Sequence, residues 1–265
     1  MSGTALETLL RRDRLVVGLA LAVLVAAAWL YLLYLDREMP DMPMSSAAMP
    51  GMNSMHEWSW VDVGTLVVMW AVMMIAMMVP SAAPMILTFT AVHRRRAAEG
   101  RPAIPAAMFV LAYVFVWTAF AILAALAQLE LHAAALLSSA MAAESRWLAG
   151  GLLVLAGVFQ WTPLKHACLS ACRSPLSFVM RHWREGRGGA FVMGVRHALY
   201  CLGCCWAFMG LLFVVGVMNV LWVALIGVAV LVEKIVPRGD LVGRVAGVLL
   251  IVVGVWLASA AVTSP

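Results

Sequence analysis

Between Met193 and Cys205 the chain carries a thioether, an imidazole and three thiols at helical spacing. At 100° per residue, His197, Cys201 and Cys204 fall in a narrow arc of one helix face, and Met193 and Cys205 widen that arc to about a third of the circumference. Soft sulfur donors with an imidazole suit Cu(I) first, Zn(II) second, and no hard cation. Cys168 and Cys172 form a second group. Their i,i+4 spacing puts both thiols on one face of a helix, with His166 directed elsewhere. Lys165 and Arg173 flank this pair and are expected to favour its thiolates. Ligation, redox exchange and plain packing all remain open for Cys168 and Cys172, because buried free cysteine also serves as a small hydrophobe.

Methionine is the other soft donor in quantity. Of the nineteen methionines, twelve lie between Met39 and Met85. Met39, Met42, Met44, Met49, Met52, Met55 and His56 run through a stretch broken by Pro40, Pro43, Pro50 and Gly51, which reads as an irregular loop. Thioethers stay neutral at any pH and form no disulfides, so they suit Cu(I) capture in an oxidising compartment; the competing reading is a tether with no ligand role. Further on, Met69, Met73 and Met77 share one helix face and Met74, Met78 and Met85 another. Such a stripe is more often adaptable packing than an ion pathway.

The elements that must position these groups are membrane helices. The chain has 265 residues, of which 65% are hydrophobic and only 12% charged, with a mean hydropathy of +0.97. A soluble chain carries about a quarter charged residues. The formal charge of +5 therefore marks loops at one membrane face rather than a nucleic-acid partner. The expected fold is all-α, a polytopic bundle of about seven transmembrane helices over 15–35, 61–90, 104–129, 147–161, 191–217, 220–236 and 241–262. A short cytoplasmic interfacial helix follows Ser174-Pro175, an N-cap and first-turn proline. The first span, behind Arg11, Arg12 and Arg14, is long enough to be an uncleaved anchor.

Three parts are expected: 1–35, the cytoplasmic N-terminus and first transmembrane helix; 36–59, a Met/Pro-rich extracytoplasmic loop; and 60–265, a six-helix metal-binding membrane domain. Pro80 and Pro84 are expected to kink the second span, and Gly150, Gly151 and Gly157 to allow close helix packing. Glu233, at a membrane boundary, is expected either to meet Arg196, His197 or Lys234 or to snorkel to the interface. With the N-terminus inside and the C-terminus outside, sixteen of the eighteen Lys/Arg fall on the cytoplasmic side, which favours that orientation. All five cysteines lie between Cys168 and Cys205, on the inner side or within the membrane, which argues against an exported disulfide framework.

A set of matches runs from about residue 60 to 240: Met69-Trp70, Met73-Met74, Ala76-Met77-Met78, Pro80-Ser81 with Pro84, Thr162-Pro163-Leu164-Lys165, Cys168, Cys172-Arg173-Ser174-Pro175, Gly194 with Arg196-His197, Tyr200-Cys201, Gly203-Cys204-Cys205-Trp206, Met218-Asn219 and Glu233-Lys234. On these residues the chain resembles a bacterial, copper-chaperone-like family of metal-binding integral membrane proteins, domain-of-unknown-function family 2182. The resemblance implies a metal-binding, copper-related role in a bacterial inner membrane and supplies no reaction. It does not reach the loop from Met39 to Met55.

The leading expectation is a Cu(I)-handling membrane protein, for transport or for delivery to a cuproenzyme or periplasmic copper protein, with zinc as the second metal. Met42, Met44 and His56 would collect the ion and Met73 and Met77 would pass it inward. His197, Cys201, Cys204 and Cys205 would hold it, joined by Cys168 and Cys172, with Arg196 and Glu233 as accompanying charges. Two other readings fit the residues: a membrane thiol oxidoreductase, and an accessory subunit of a membrane complex. No phosphate-binding loop is present, which argues against ATP-driven pumping by this chain. No enzymatic reaction is assigned.

Overall fold

The computed structural model describes residues 3–38, 60–100, 106–137, 143, 145–217 and 219–263. Among them the chain is helical throughout, apart from an isolated bridge between Leu137 and Ala143. The elements are α1 (Gly3–Glu38), α2 (Trp60–Ala98), α3 (Ala106–Ala133), α4 (Arg146–Phe159), α5 (Pro163–Arg173), α6 (Pro175–Arg181), α7 (Gly186–Gly210), the four-residue turn α8 (Leu212–Val215), α9 (Val220–Ile235) and α10 (Gly239–Thr263). Side-chain caps fix several starts. Ser145, Thr162 and Asn219 accept from the backbone N–H of Leu148, Lys165 and Trp222. Ser174 stands at the N-cap of α6 with Pro175 behind it, but its hydroxyl makes no capping bond.

Among the described residues, five helices are long and apolar enough to cross a membrane: α1, α2, α3, α10 and the α7–α8 segment 186–215. A sixth arises if α4 and α5 are taken as one span, but they meet at 63°. The expected seven is therefore corrected to five or six. Sequence hydropathy counts apolar runs, and two of those runs are short helices. α4 stops after 14 residues, where Thr162-Pro163 starts a new helix in a new direction. α9 has 16 residues, short of the roughly 20 that a span requires. α2, in contrast, runs unbroken through Pro80 and Pro84 for 39 residues.

Glycines set the closest approaches. On α4, Gly150 and Gly157 face Gly254 and Gly247 of α10, so that a Cβ on Gly150 would lie 2.7 Å from the Gly254 carbonyl oxygen and one on Gly157 would lie 2.6 Å from that of Gly247. Gly151 faces open space and has no such role. Gly194 of α7 lies against the backbone of Phe109 on α3, and Gly203 against the Cys168 sulfur on α5. Gly227 brings α9 onto Met77 of α2. These contacts draw α2, α3, α5 and α9 around α7, and the chemistry sits where they meet.

Candidate metal centre

Cys201 lies midway along α7 with its sulfur fully buried among three other helices. The Tyr113 hydroxyl of α3 stands 3.0 Å from Sγ, and Lys234 of α9 donates to the same sulfur at 2.9 Å. Lys234 Nζ also donates to Ser81 Oγ of α2 at 2.9 Å, and Ser81 donates in turn to the Met78 carbonyl. Tyr113 Oη donates to that same carbonyl at 3.1 Å. Two side-chain donors, from Ser81 and Tyr113, thus converge on one carbonyl of α2, two residues before Pro80.

The other thiols take different directions from the same helix. Cys204 and Cys205 both donate to the Cys201 carbonyl, at 3.1 and 2.8 Å, as thiols one turn along a helix readily do. Cys205 then meets the Met78 thioether, sulfur to sulfur at 3.7 Å. Cys204 turns toward α5, where its thiol interacts electrostatically with that of Cys172. Cys168, one turn earlier on α5, packs against Gly203. All five cysteines are free and buried.

His197, one turn before Cys201, occupies an aromatic sleeve. Its ring stacks on Phe109 and Tyr113 with centroids 5.9 and 5.7 Å away, and meets Phe178 of α6 edge-on at 5.6 Å. Both ring nitrogens are buried without a hydrogen-bond partner. Buried polar atoms are nearly always paired, so an imidazole orphaned at both nitrogens calls for a reason.

Among the described residues, no three or more His, Cys, Asp or Glu side chains are grouped so as to hold a metal ion. The shared arc of His197, Cys201, Cys204 and Cys205 is real, but it does not make a converged ligand set. Neighbours on three sides explain this. α3 and α9 engage Cys201, α5 engages Cys204, α2 engages Cys205, and the aromatic rings of α3 and α6 enclose His197. What the site offers is a set of sulfur pairs, Cys205 with Met78 and Cys204 with Cys172, around one sulfur held by a lysine.

The family model described as PpoB2, copper chaperone, matches residues 67–257. The chain belongs to that copper chaperone family. No match is found among curated proteins or among solved structures. The matched region of this copper chaperone family member runs from α2 into α10 and includes all five cysteines, His197, Tyr113 and Lys234, while most of α1 and the Met-rich stretch 39–59 lie outside it. Membership supports a copper-related function.

The remaining expected residues fall in several places. Met73 and Met77 are buried on α2. Met69 and Met73 line a cavity of about 20 Å³, roughly the room for one water or ion, with Leu32, Asp36 and Val220. Met78, nine residues beyond Met69, is about 14 Å further along the helix. Met42, Met44 and His56 lie outside the described residues. Arg196 is exposed on α7, away from the thiols.

Glu233 meets none of the partners expected of it. Its two oxygens accept from Lys165 Nζ at 2.8 Å each, and Lys165 also donates to Gln160 Oε1. That lysine is therefore committed to Glu233 rather than to the α5 thiols. Arg173 likewise turns to the carbonyls of Val236 and Pro237 and to Asp240. The ammonium that stands among the thiols is Lys234. Sequence reasoning missed it, together with Tyr113 and Ser81, because their approach depends on how three distant helices pack. The one available signal was a Glu-Lys pair in an otherwise apolar helix, where neighbouring residues point 100° apart and so enter different networks.

Proposed function

We propose that this copper chaperone family member binds Cu(I) at the buried sulfurs of α2, α5 and α7 and hands it on, rather than catalysing a reaction. The observation that carries the reading is the gathering of Cys172, Cys201, Cys204 and Cys205 with the Met78 thioether in one buried region. Apolar packing alone gives no reason to bring this many sulfurs together, whereas Cu(I) prefers this donor type above others. Cys205–Met78 and Cys204–Cys172 serve as two-sulfur stations, and His197 supplies the free nitrogen donor beside them. The absence of a converged set suits a protein that must release its cargo.

Entry is from the end of the bundle where α1 closes and α2 begins. The Met69–Met73 cavity lies there beside Asp36, two residues before the end of α1. In this reading Met42, Met44 and His56 collect the ion, Met73 and Met77 pass it along α2, and Met78 delivers it to Cys205. Thiolate binds Cu(I) more tightly than thioether, so the order of ligands sets the direction. In this reading the chain sits in a bacterial inner membrane with its thiol end toward the cytoplasmic side, the side that basic residues favour. The recipient in this reading is a cuproenzyme that takes the ion from the thiol end. A thiol oxidoreductase fits less well, because a thiol that exchanges electrons with a partner must be reachable and these five are buried.

The test is copper content after Cu(I) loading of the detergent-purified chain, beside a variant with Cys201, Cys204 and Cys205 changed to Ser. About one copper per chain that is lost in the variant supports the reading; equal retention in a folded variant sinks it.

A further inference from the structure

The two consecutive ionisable residues of α9 have opposite fates. Glu233 closes a pair with Lys165, and both side chains are almost wholly buried. That pair is electrically complete. Lys234 is buried as well, yet its two hydrogen-bond partners are a hydroxyl and a sulfur, Ser81 Oγ and Cys201 Sγ. Besides Ser81 of α2 and Cys201 of α7, which it touches, its charge reaches Tyr113 of α3, Cys172 of α5 and His197, Cys204 and Cys205 of α7. Of the two buried lysines, Lys234 is the one without a carboxylate partner, and its ammonium lies against the Cys201 sulfur. A charge held in a low-dielectric interior acts strongly on any ion brought within a few ångströms.

We propose that Lys234 is a specificity-determining residue whose ammonium, fixed beside Cys201 and Ser81, lets the sulfur site accept a monovalent soft cation and turn away divalent zinc. The inference rests on the copper reading above and adds the selection rule to it. Soft thiol and imidazole donors by themselves bind Zn(II) as well as Cu(I), so ligand type does not separate the two metals. Charge does. Repulsion from a fixed ammonium is proportional to the charge of the ion, so the divalent ion meets twice the penalty at the same position. Lys165 does not substitute for Lys234, because Glu233 neutralises it.

The experiment uses the full chain in detergent, with Cu(I) alone and Zn(II) alone as probes, each measured against a competing chelator. Lys234→Gln removes the charge while keeping a donor for Ser81 and Cys201; Lys234→Met serves where the glutamine variant does not fold, and Lys234→Arg keeps the charge. Wild type and Lys234→Arg are expected to bind Cu(I) and exclude Zn(II). In the neutral variant Zn(II) affinity rises by about tenfold or more, while Cu(I) affinity changes by less than about half that factor on a logarithmic scale. A folded neutral variant with the wild-type ratio of Cu(I) to Zn(II) affinity overturns the assignment of Lys234 and leaves the copper reading standing. Wild-type protein that binds neither ion overturns both.

Discussion

The Lys234 ammonium lies 2.9 Å from the Cys201 sulfur, in the interior of the helix bundle. Cys201 is thereby set apart from the other four cysteines, since it alone receives a donated hydrogen bond from a charged group. Charge-assisted hydrogen bonds are roughly twice as strong as neutral ones. That difference ranks the cysteines.

Cys201→Ser and Cys204→Ser are each expected to weaken Cu(I) retention by about tenfold or more, the loss of a soft ligand for a hard one. Cys168→Ser should cost less than about threefold on the same scale, because its sulfur serves the close approach of Gly203 and lies a helical turn from the Cys204–Cys172 contact. Chelator competition on the three single variants checks the order. Equal losses across all three would mean that the sulfurs act as one undivided pool.

Glu233→Gln leaves Lys165 buried beside a neutral amide. Removing one partner of a buried ion pair costs about 3–5 kcal/mol, whereas replacing both with apolar groups is often neutral. Thermal unfolding in detergent should therefore fall steeply for Glu233→Gln and recover in the double variant Glu233→Leu, Lys165→Met. The recovery is expected to be partial, because the double variant also leaves the buried Gln160 Oε1 without its Lys165 donor, at a cost of about 1–3 kcal/mol. A double variant no more stable than the single one would show that the pair contributes a specific geometry and not merely charge balance.

Hydropathy and 100° periodicity made much of this legible. The helical class, the apolar length of α1, α2, α3 and α10, and the shared arc of His197, Cys201 and Cys204 all follow from local sequence. The bend between α4 and α5 was half visible: Thr162-Pro163 announces a new helix start but not its direction, and the segment expected at 147–161 matches α4 closely but was counted as a full span. Partner choice was not visible at all. Glu233 and Lys234 are neighbours in sequence, and only the packing of α5 and α2 against α9 decides that one meets Lys165 and the other Cys201. The thiols were read as a ligand set because they share a face; the neighbouring helices that divide them are long-range information.

Glycine positions on α4 separate sharply. Gly157→Val inserts side-chain atoms where a Cβ already falls 2.6 Å from the Gly247 carbonyl, and Gly150→Val does the same against Gly254. Each should destabilise by about 1–3 kcal/mol or more, as overpacking of a tight interface does. Gly151→Val projects into open space and should stay within about 0.5 kcal/mol of wild type, the ordinary range for substitutions away from packed features. Detergent melting curves of the three variants decide whether α10 docks on α4 through these glycines. Equal melting of Gly151→Val and Gly157→Val would argue that it does not.

His197 separates a structural from a ligand role more cleanly than any cysteine. Its ring is enclosed by Phe109, Tyr113 and Phe178, an apolar sleeve that phenylalanine would fill equally well. Neither nitrogen has a partner, and leaving buried polar atoms unsatisfied costs about 1–3 kcal/mol. If the imidazole were there only to pack, His197→Phe would raise stability and leave metal binding untouched. A protein that keeps such a cost gains something from the nitrogen, and a soft cation one helical turn away at Cys201 is the available partner. His197→Phe is therefore expected to melt at or above the wild-type temperature while holding Cu(I) several-fold less tightly and releasing it faster. A raised melting temperature with unchanged Cu(I) release would remove His197 from the ligand set and leave the sulfurs to hold the ion alone.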